Sequence, residues 1–127
     1  MSKIKIFALG GLNENGKNMY VIEVDKDILV FEAGLRYADE TMLGIDYLIP
    51  NIEYLKENKK RIRGIFLTHG HDENIGALTD LVKDLEGVNI YASKSNKNKK
   101  EMLLKASLFG SGDLTRTDDR PGMNRLL

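Results

Sequence analysis

The sequence predicts an α/β fold: one half of a sandwich, built on a mixed sheet with helices on its outer face. Three observations carry that expectation. Alternating apolar segments come first along the chain, as in an antiparallel hairpin. A short and wholly apolar run, Gly64-Ile65-Phe66-Leu67, has the pattern of a central strand covered on both faces. After it, Ile75, Leu78, Leu81, Val82 and Leu85 recur at helical spacing before one more strand-like segment. A sheet with an apolar inner face needs a second layer, and no later part of the sequence reads as one.

Taken in order, Lys3-Ile4-Lys5-Ile6-Phe7-Ala8 alternates polar and apolar residues and reads as a half-buried strand ending at Gly10-Gly11. Met19 to Val24 and Ile28 to Phe31 are the next two strands. The short acidic turn Asp25-Lys26-Asp27 joins them as a hairpin. From Ala33 to Pro50 the chain reads as a loop, longer than a compact domain keeps without a purpose. Ile52 to Asn58 is expected to be a short helix with Asn51 as its N-cap after Pro50. The helix beginning near Ile75 is expected to close at Gly87, and Asn89 to Ala92 to form a strand. Ser95 can cap a lysine-rich helix whose apolar residues are Met102, Leu103, Ala106 and Phe109. Residues 1–109 thus form the partial domain. Residues 110–127, rich in Gly, Ser, Asp and Arg, are expected to be a disordered or aberrant tail.

Composition narrows the function. The 127 residues carry nineteen basic and nineteen acidic side chains, a formal net charge of zero. That balance advertises neither nucleic acid nor a membrane surface. With no cysteine, any metal site must use histidine, carboxylate or amide groups. The same absence fits a reducing, cytoplasmic setting. Met1-Ser2-Lys3 leads into alternation rather than an apolar run, so no signal peptide is expected. No apolar stretch approaches the ~20 residues of a membrane helix.

The segment that carries chemistry is Phe66-Leu67-Thr68-His69-Gly70-His71-Asp72-Glu73-Asn74-Ile75-Gly76. An apolar strand ends in two histidines, acids follow at once, and a glycine lets a helix begin. Two histidines separated by one residue project to the same side of an extended loop, so both imidazoles reach one ion. Zinc binds neutral imidazole at about 2.0–2.1 Å and, in catalytic sites, keeps a position open for water. The loop's place at the carboxyl end of a buried strand gives it a rigid base.

This segment resembles the His-x-His-x-Asp-His signature of the metallo-β-lactamase fold. Other stretches are similar to the ribonuclease J family, a β-CASP branch of that superfamily. They are Gly10-Gly11-Leu12-Asn13-Glu14-Asn15-Gly16-Lys17-Asn18, Val30-Phe31-Glu32-Ala33-Gly34-Leu35, Leu43-Gly44-Ile45-Asp46 with Ile49-Pro50, and Ile62-Arg63-Gly64 leading into the histidines. They fall in the family's order and spacing from about Lys3 to Ala92. The resemblance implies an αββα sandwich of which this chain holds the amino-terminal half. It also implies a two-zinc ribonuclease acting on RNA 5′ ends and internally. His69 and His71 would be ligands of the first ion. Glu73 and Asn74 stand where the second ion's Asp and His belong, with Glu73 at the catalytic carboxylate.

Four positions depart from the family pattern. Glu73 keeps the charge of Asp but extends the carboxylate by more than ~1 Å, where metal geometry tolerates about 0.2 Å. Asn74 offers an amide oxygen, which suits hard cations better than zinc. Asp72 could substitute, although the alternation of its neighbours directs it outward. Glu32 replaces an acid that buttresses the site, and Asn51 stands where an acid follows Ile-Pro. The departures cluster at polar site positions while the apolar framework is intact. They make the chain look like the weakly active paralogue that pairs with an active ribonuclease J in some bacteria. The second metal position is therefore expected to be weak or lost, and the isolated chain to have little nuclease activity.

The family would add a third metal-binding histidine, a β-CASP domain and a carboxy-terminal domain, none of which is read here. Lys94, Lys97, Lys99, Lys100 and Lys105 make either a solvated helix face or a set of RNA phosphate contacts. Three readings follow: the amino-terminal portion of a catalytically impaired RNA hydrolase, a non-catalytic subunit docking onto a ribonuclease J partner, or another hydrolase such as a thioesterase or lactonase. The Gly-Gly loop with Glu14 and Lys17 counts against the third. An uncovered sheet face makes oligomers or aggregation the expected behaviour of the isolated piece.

Overall fold

The computed structural model describes residues 1–93 and 123–125. Its centre is a six-stranded mixed sheet. The strands are β1 (Ile4–Gly10), β2 (Met19–Val24), β3 (Asp27–Phe31), β6 (Ile62–Leu67), β7 (Ile90–Ser93) and β8 (Met123–Arg125), hydrogen-bonded in that order. β1, β2 and β3 are antiparallel, β3, β6 and β7 run parallel, and β8 returns antiparallel. The expected hairpin turns at Asp25 and Lys26, with Asp25 in the left-handed region at φ 53°. β6 holds the central position its apolar sequence implies.

The register puts Val21, Val30, Ile65 and Ile90 in one row across the sheet. These four are buried, and they join Leu55, Ile75, Leu78, Leu81 and Leu85 from the helical segments in a single core. The next row, Tyr20, Phe31, Phe66 and Tyr91, lies on the opposite face. Phe66 stacks between Phe31 (centroids 5.3 Å) and Tyr91 (4.9 Å). On that open face Ile4 and Ile6 of β1 remain 61% and 73% exposed. Among the described residues the sheet is thus covered by helices on one side only, in keeping with the half-sandwich read from the sequence.

The helical layer consists of α1 (Glu53–Glu57), a 3-10 turn (Lys59–Arg61), α2 (Asp72–Ile75) and α3 (Leu78–Asp84). Two expectations need correction. Asn51 does not flank α1 directly; Ile52 does, while Asn51 Oδ1 accepts the Glu53 N–H at 3.0 Å from one residue further out. The single helix expected from Ile75 is two helices broken at Gly76-Ala77. The cause is competition for acceptors. In a continuous helix the carbonyls of Glu73 and Asn74 would serve the amides four residues on. Here they accept instead from Asn18 N–H (3.0 Å) and Ala33 N–H (2.6 Å), and Ala77 N–H goes to Ala33 O (2.8 Å). Gly87 does make a left-handed turn, φ 85°, two residues beyond Leu85, which flanks the end of α3.

The long loop from Ala33 to Pro50 is not structureless. β4 (Arg36–Tyr37) and β5 (Tyr47–Leu48) pair antiparallel within it. One acid is buried on the core side: Glu23 of β2 accepts from Tyr54 Oη at 2.7 Å and from the Arg61 guanidinium. Arg61 also donates to Asn58 Oδ1 and to the Lys26 carbonyl, so it ties the 3-10 turn to the β2–β3 hairpin. Among the described residues no helix is long and apolar enough to cross a membrane. The expected lysine-rich helix after Ser95, with Lys94, Lys97, Lys99, Lys100 and Lys105, lies outside the described residues. So does the expected tail, apart from β8.

Candidate metal centre

The histidine loop leaves the carboxyl end of β6 and is fixed to the end of β3. Glu32 follows β3 at φ 66°, a left-handed conformation that costs a non-glycine residue roughly 1–3 kcal/mol. It is 5% exposed. Its carboxylate lies 3.3 and 3.5 Å from the Thr68 N–H, where the loop begins. The unusual backbone at Glu32 and the carboxylate contact together set the loop's starting direction.

From there a chain of contacts runs through the loop. Thr68 Oγ1 lies 2.8 Å from His69 Nδ1, and His69 Nε2 lies 3.0 Å from His71 Nδ1. The two rings meet edge to face, with centroids 4.6 Å apart. His71 Nδ1 is 3.8 Å from Glu73 Oε1. His69 and His71 thus converge as their spacing predicts, with Glu73 beside His71, on the exposed side of the loop: His71 is 68% exposed at its side chain.

The chemistry of this set can be tested against a metal ion. Two nitrogens bound to one tetrahedral zinc at 2.0–2.1 Å stand about 3.3 Å apart, so a small rotation takes His69 Nε2 and His71 Nδ1 from a shared hydrogen bond to two corners of an ion. Glu73 Oε1, 3.8 Å from His71 Nδ1, stands beside the pair without completing a three-ligand group among the described residues. Beyond these the fit stops. Among the described residues no group of three or more histidines and acids is arranged as a metal cage. Asn74 starts from a position only 8% exposed, and its carboxamide has no hydrogen bond among the described residues. A buried amide without a partner is costly; its oxygen suits a hard cation or a water better than zinc.

Asp72 is placed away from the pair. Its Oδ2 accepts from Tyr37 Oη at 2.5 Å, and its carbonyl accepts the Leu35 N–H at 3.0 Å. The bond to Asp72, with its charge, holds the Tyr37 hydroxyl above the usual tyrosine range. Tyr37 lies on β4 in the stretch read as loop, and no local pattern in the sequence marks it. Between β4 and α2 is a cleft of about 300 Å³ lined by Asn15, Gly16, Leu35, Arg36, Tyr37, Asp72 and Glu73.

A family profile described as the Metallo-beta-lactamase superfamily matches residues 12–118. The chain is 48% identical over 117 residues to the protein named Ribonuclease J2 of Bacillus subtilis (strain 168), covering 92% of this chain and 20% of that one. It is 46% identical over 91 residues to Ribonuclease J 2 of Staphylococcus saprophyticus, covering 72% of this chain and 16% of the relative. It is also 46% identical over 90 residues to Ribonuclease J of Mycoplasma pneumoniae, covering 71% and 16%. The chain therefore spans a fifth or less of the length of these relatives.

Proposed function

The chain belongs to the metallo-β-lactamase superfamily, and from that premise we propose that it is the amino-terminal part of a ribonuclease J-like, metal-dependent RNA hydrolase of the weakly active kind. One observation carries the reading: His69 and His71 converge to 3.0 Å at the end of the central strand, in a chain 46–48% identical to proteins named for ribonuclease activity.

The superfamily implies a divalent metal, and zinc is the ion we assign to the histidine pair. His69 and His71 would hold it and Glu73 would reach it from the same side; Asn74 would leave a second position weak. When bound, such an ion lowers the pKa of a water and polarises a phosphoryl oxygen. The chain's own part is to hold two imidazoles together on a loop braced at Glu32 and Thr68. Glu73 would be the carboxylate that accepts a proton from the water and orients it. The working compartment we assign is the cytoplasm, in keeping with a chain of no cysteines.

Zinc titration monitored by calorimetry tests this. Binding near one ion per chain, lost in His69→Ala and His71→Ala with the fold retained by circular dichroism, is the expected result. Stoichiometric zinc binding by the double variant would overturn the ligand assignment. RNA cleavage by the 127-residue chain should be slight; robust metal-dependent cleavage abolished by His71→Ala would overturn the impairment.

A second reading is favoured by one specific observation. The loop is anchored through the carbonyls of Asp72, Glu73 and Asn74, and that part of the scaffold therefore does not depend on the side chains at 73 and 74. In that reading the chain serves as a non-catalytic subunit of a ribonuclease J complex. Its association with an active ribonuclease J should then survive His69→Ala together with His71→Ala. Loss of the partner in that double variant would sink it.

A further inference from the structure

The loop between β1 and β2 is folded around one of its own carboxylates. Glu14 Oε1 accepts the Gly11 N–H at 3.0 Å and lies 3.5 Å from Lys17 Nζ, while Glu14 Oε2 lies 3.6 Å from Arg36 Nη1. Among the described residues Glu14 is the acid that pairs with each of these cations. The main chain makes the enclosure by repeated left-handed steps, at Gly11 (φ 86°), Asn13 (52°), Gly16 (101°) and Lys17 (53°). Left-handed steps are one component of the anion-binding concavities found at phosphate sites. The backbone donor comes first among the causes that hold the Glu14 carboxyl below its usual range, with Lys17 and Arg36 adding to it.

Two cations from separate elements exceed the single negative charge of the partly exposed carboxylate they share. They are a set suited to a phosphate, which offers more oxygens and more charge. The three side chains retain 20–35% exposure, so the enclosure opens to solvent. Gly16 and Arg36 also line the 300 Å³ cleft whose far wall carries Asp72 and Glu73 of the histidine loop. Those two acids repel an anion from the far wall, which leaves the Lys17–Arg36 side as the place where a backbone phosphate is neutralised.

We propose that Glu14 is an internal stand-in for a phosphate, and that Gly11, Lys17 and Arg36 take a phosphodiester of an RNA strand when Glu14 swings out. The proposal rests on the RNA reading above. Glu14 then limits affinity by occupying the site from within, as any tethered competitor does.

The test is anisotropy of a short labelled single-stranded RNA with the full chain, in EDTA, across a series of salt concentrations. Glu14→Gln retains an oxygen for the Gly11 N–H while losing the charge. It should bind RNA about five- to twenty-fold tighter than wild type, with a salt slope steeper by about 0.7, one single-strand phosphate contact. Adding Lys17→Met and Arg36→Met to that variant should remove the gain. A folded Glu14→Gln chain with unchanged affinity and slope overturns the proposal. Where Glu14→Gln does not fold, Arg36→Met alone decides: the slope should fall by about 0.7, and an unchanged slope overturns the proposal. The same variants titrated with inorganic phosphate separate the two readings. Phosphate bound through Lys17 and Arg36 with no RNA bound by any form would keep the anion cradle and overturn the RNA reading. Binding of neither would overturn the cradle itself.

Discussion

Gly34→Ala is the most decisive single perturbation of the scaffold beneath the histidine loop. A Cβ at Gly34 would lie 1.6 Å from the Glu73 carbonyl oxygen, 2.4 Å from its carbon and 2.7 Å from Asn18 N. All three are backbone atoms, so no side-chain rotation relieves the overlap. The Glu73 carbonyl would have to withdraw by about 1.4 Å to reach even a 3.0 Å contact, in an interior packed as densely as a crystal. That movement breaks the seam joining the histidine loop to its neighbours. The bonds at risk are Asn18 N–H to Glu73 O, Ala33 N–H to Asn74 O, Leu35 N–H to Asp72 O and Ala77 N–H to Ala33 O. At a net 0.5–1.5 kcal/mol per hydrogen bond, losing all four costs about 2–6 kcal/mol. Gly44→Ala is the internal control. Gly44 has nothing within 4 Å of its would-be Cβ but sits at φ 78°, so its substitution costs only the left-handed penalty, about 1–2 kcal/mol. Urea unfolding followed by circular dichroism measures both. If Gly34→Ala were no more destabilising than Gly44→Ala, the docking of the loop onto β3 would be wrong.

Three further outcomes follow from the same geometry. Leu81→Ala removes a side chain that is fully buried at the centre of the core and should cost about 2–5 kcal/mol in the same unfolding experiment; less than 1 kcal/mol would show a core that is not closed. Glu23 is held below the usual carboxylate range first by Arg61 and then by Tyr54. A lowered carboxyl contributes stability above the unfolded value of about 4.3 and loses it as pH falls through the folded value. Glu23→Gln should therefore be less stable than wild type at neutral pH, with the gap closing below about pH 4; a gap that widens on acidification would reverse the assignment. The open sheet face with Ile4 and Ile6 exposed should cause self-association of the isolated chain, which Ile4→Lys with Ile6→Lys reduces; a wild-type monomer in sedimentation at high concentration would count against it.

What could be read from the sequence was what local pattern encodes. Alternation gave β1, and two apolar segments joined by a short acidic turn gave β2 and β3, all to within two residues at each end, while the apolar run ending in Leu67 gave the central strand. The convergence of His69 and His71 needs only two-residue spacing after a strand, so it too was legible. The misreadings have two causes, competition from distant backbone and elements too short to carry a pattern. The helix from Ile75 was read as continuous because its apolar spacing is continuous, yet Asn18 and Ala33 take the carbonyls it needs. The β4–β5 ladder went unseen because Arg36-Tyr37 and Tyr47-Leu48 are too short to carry a period. Tyr37 was hidden for the same reason, and its partner Asp72 lies thirty-five residues away.

Those distant contacts also make the scaffold beneath the histidine loop insensitive to which side chains the loop carries. Asp72, Glu73 and Asn74 each give a carbonyl to the amides of Leu35, Asn18 and Ala33. A carbonyl is the same acceptor whatever side chain its residue carries. Exchanging Asp for Glu at 73, or His for Asn at 74, therefore leaves the seam beneath the loop intact, and the cost falls on the side chains alone. At Glu73 that cost is small, because the carboxylate is half exposed. At Asn74 it is a buried amide without a partner among the described residues. Asn74→Ala should consequently be neutral or stabilising by up to about 1–2 kcal/mol if the amide serves no ligand, since it removes an unsatisfied buried group. If the amide instead holds a cation, Asn74→Ala should weaken magnesium or calcium binding measured by calorimetry. A stabilised chain that binds neither ion in either form would mark the second metal position as abandoned in this chain.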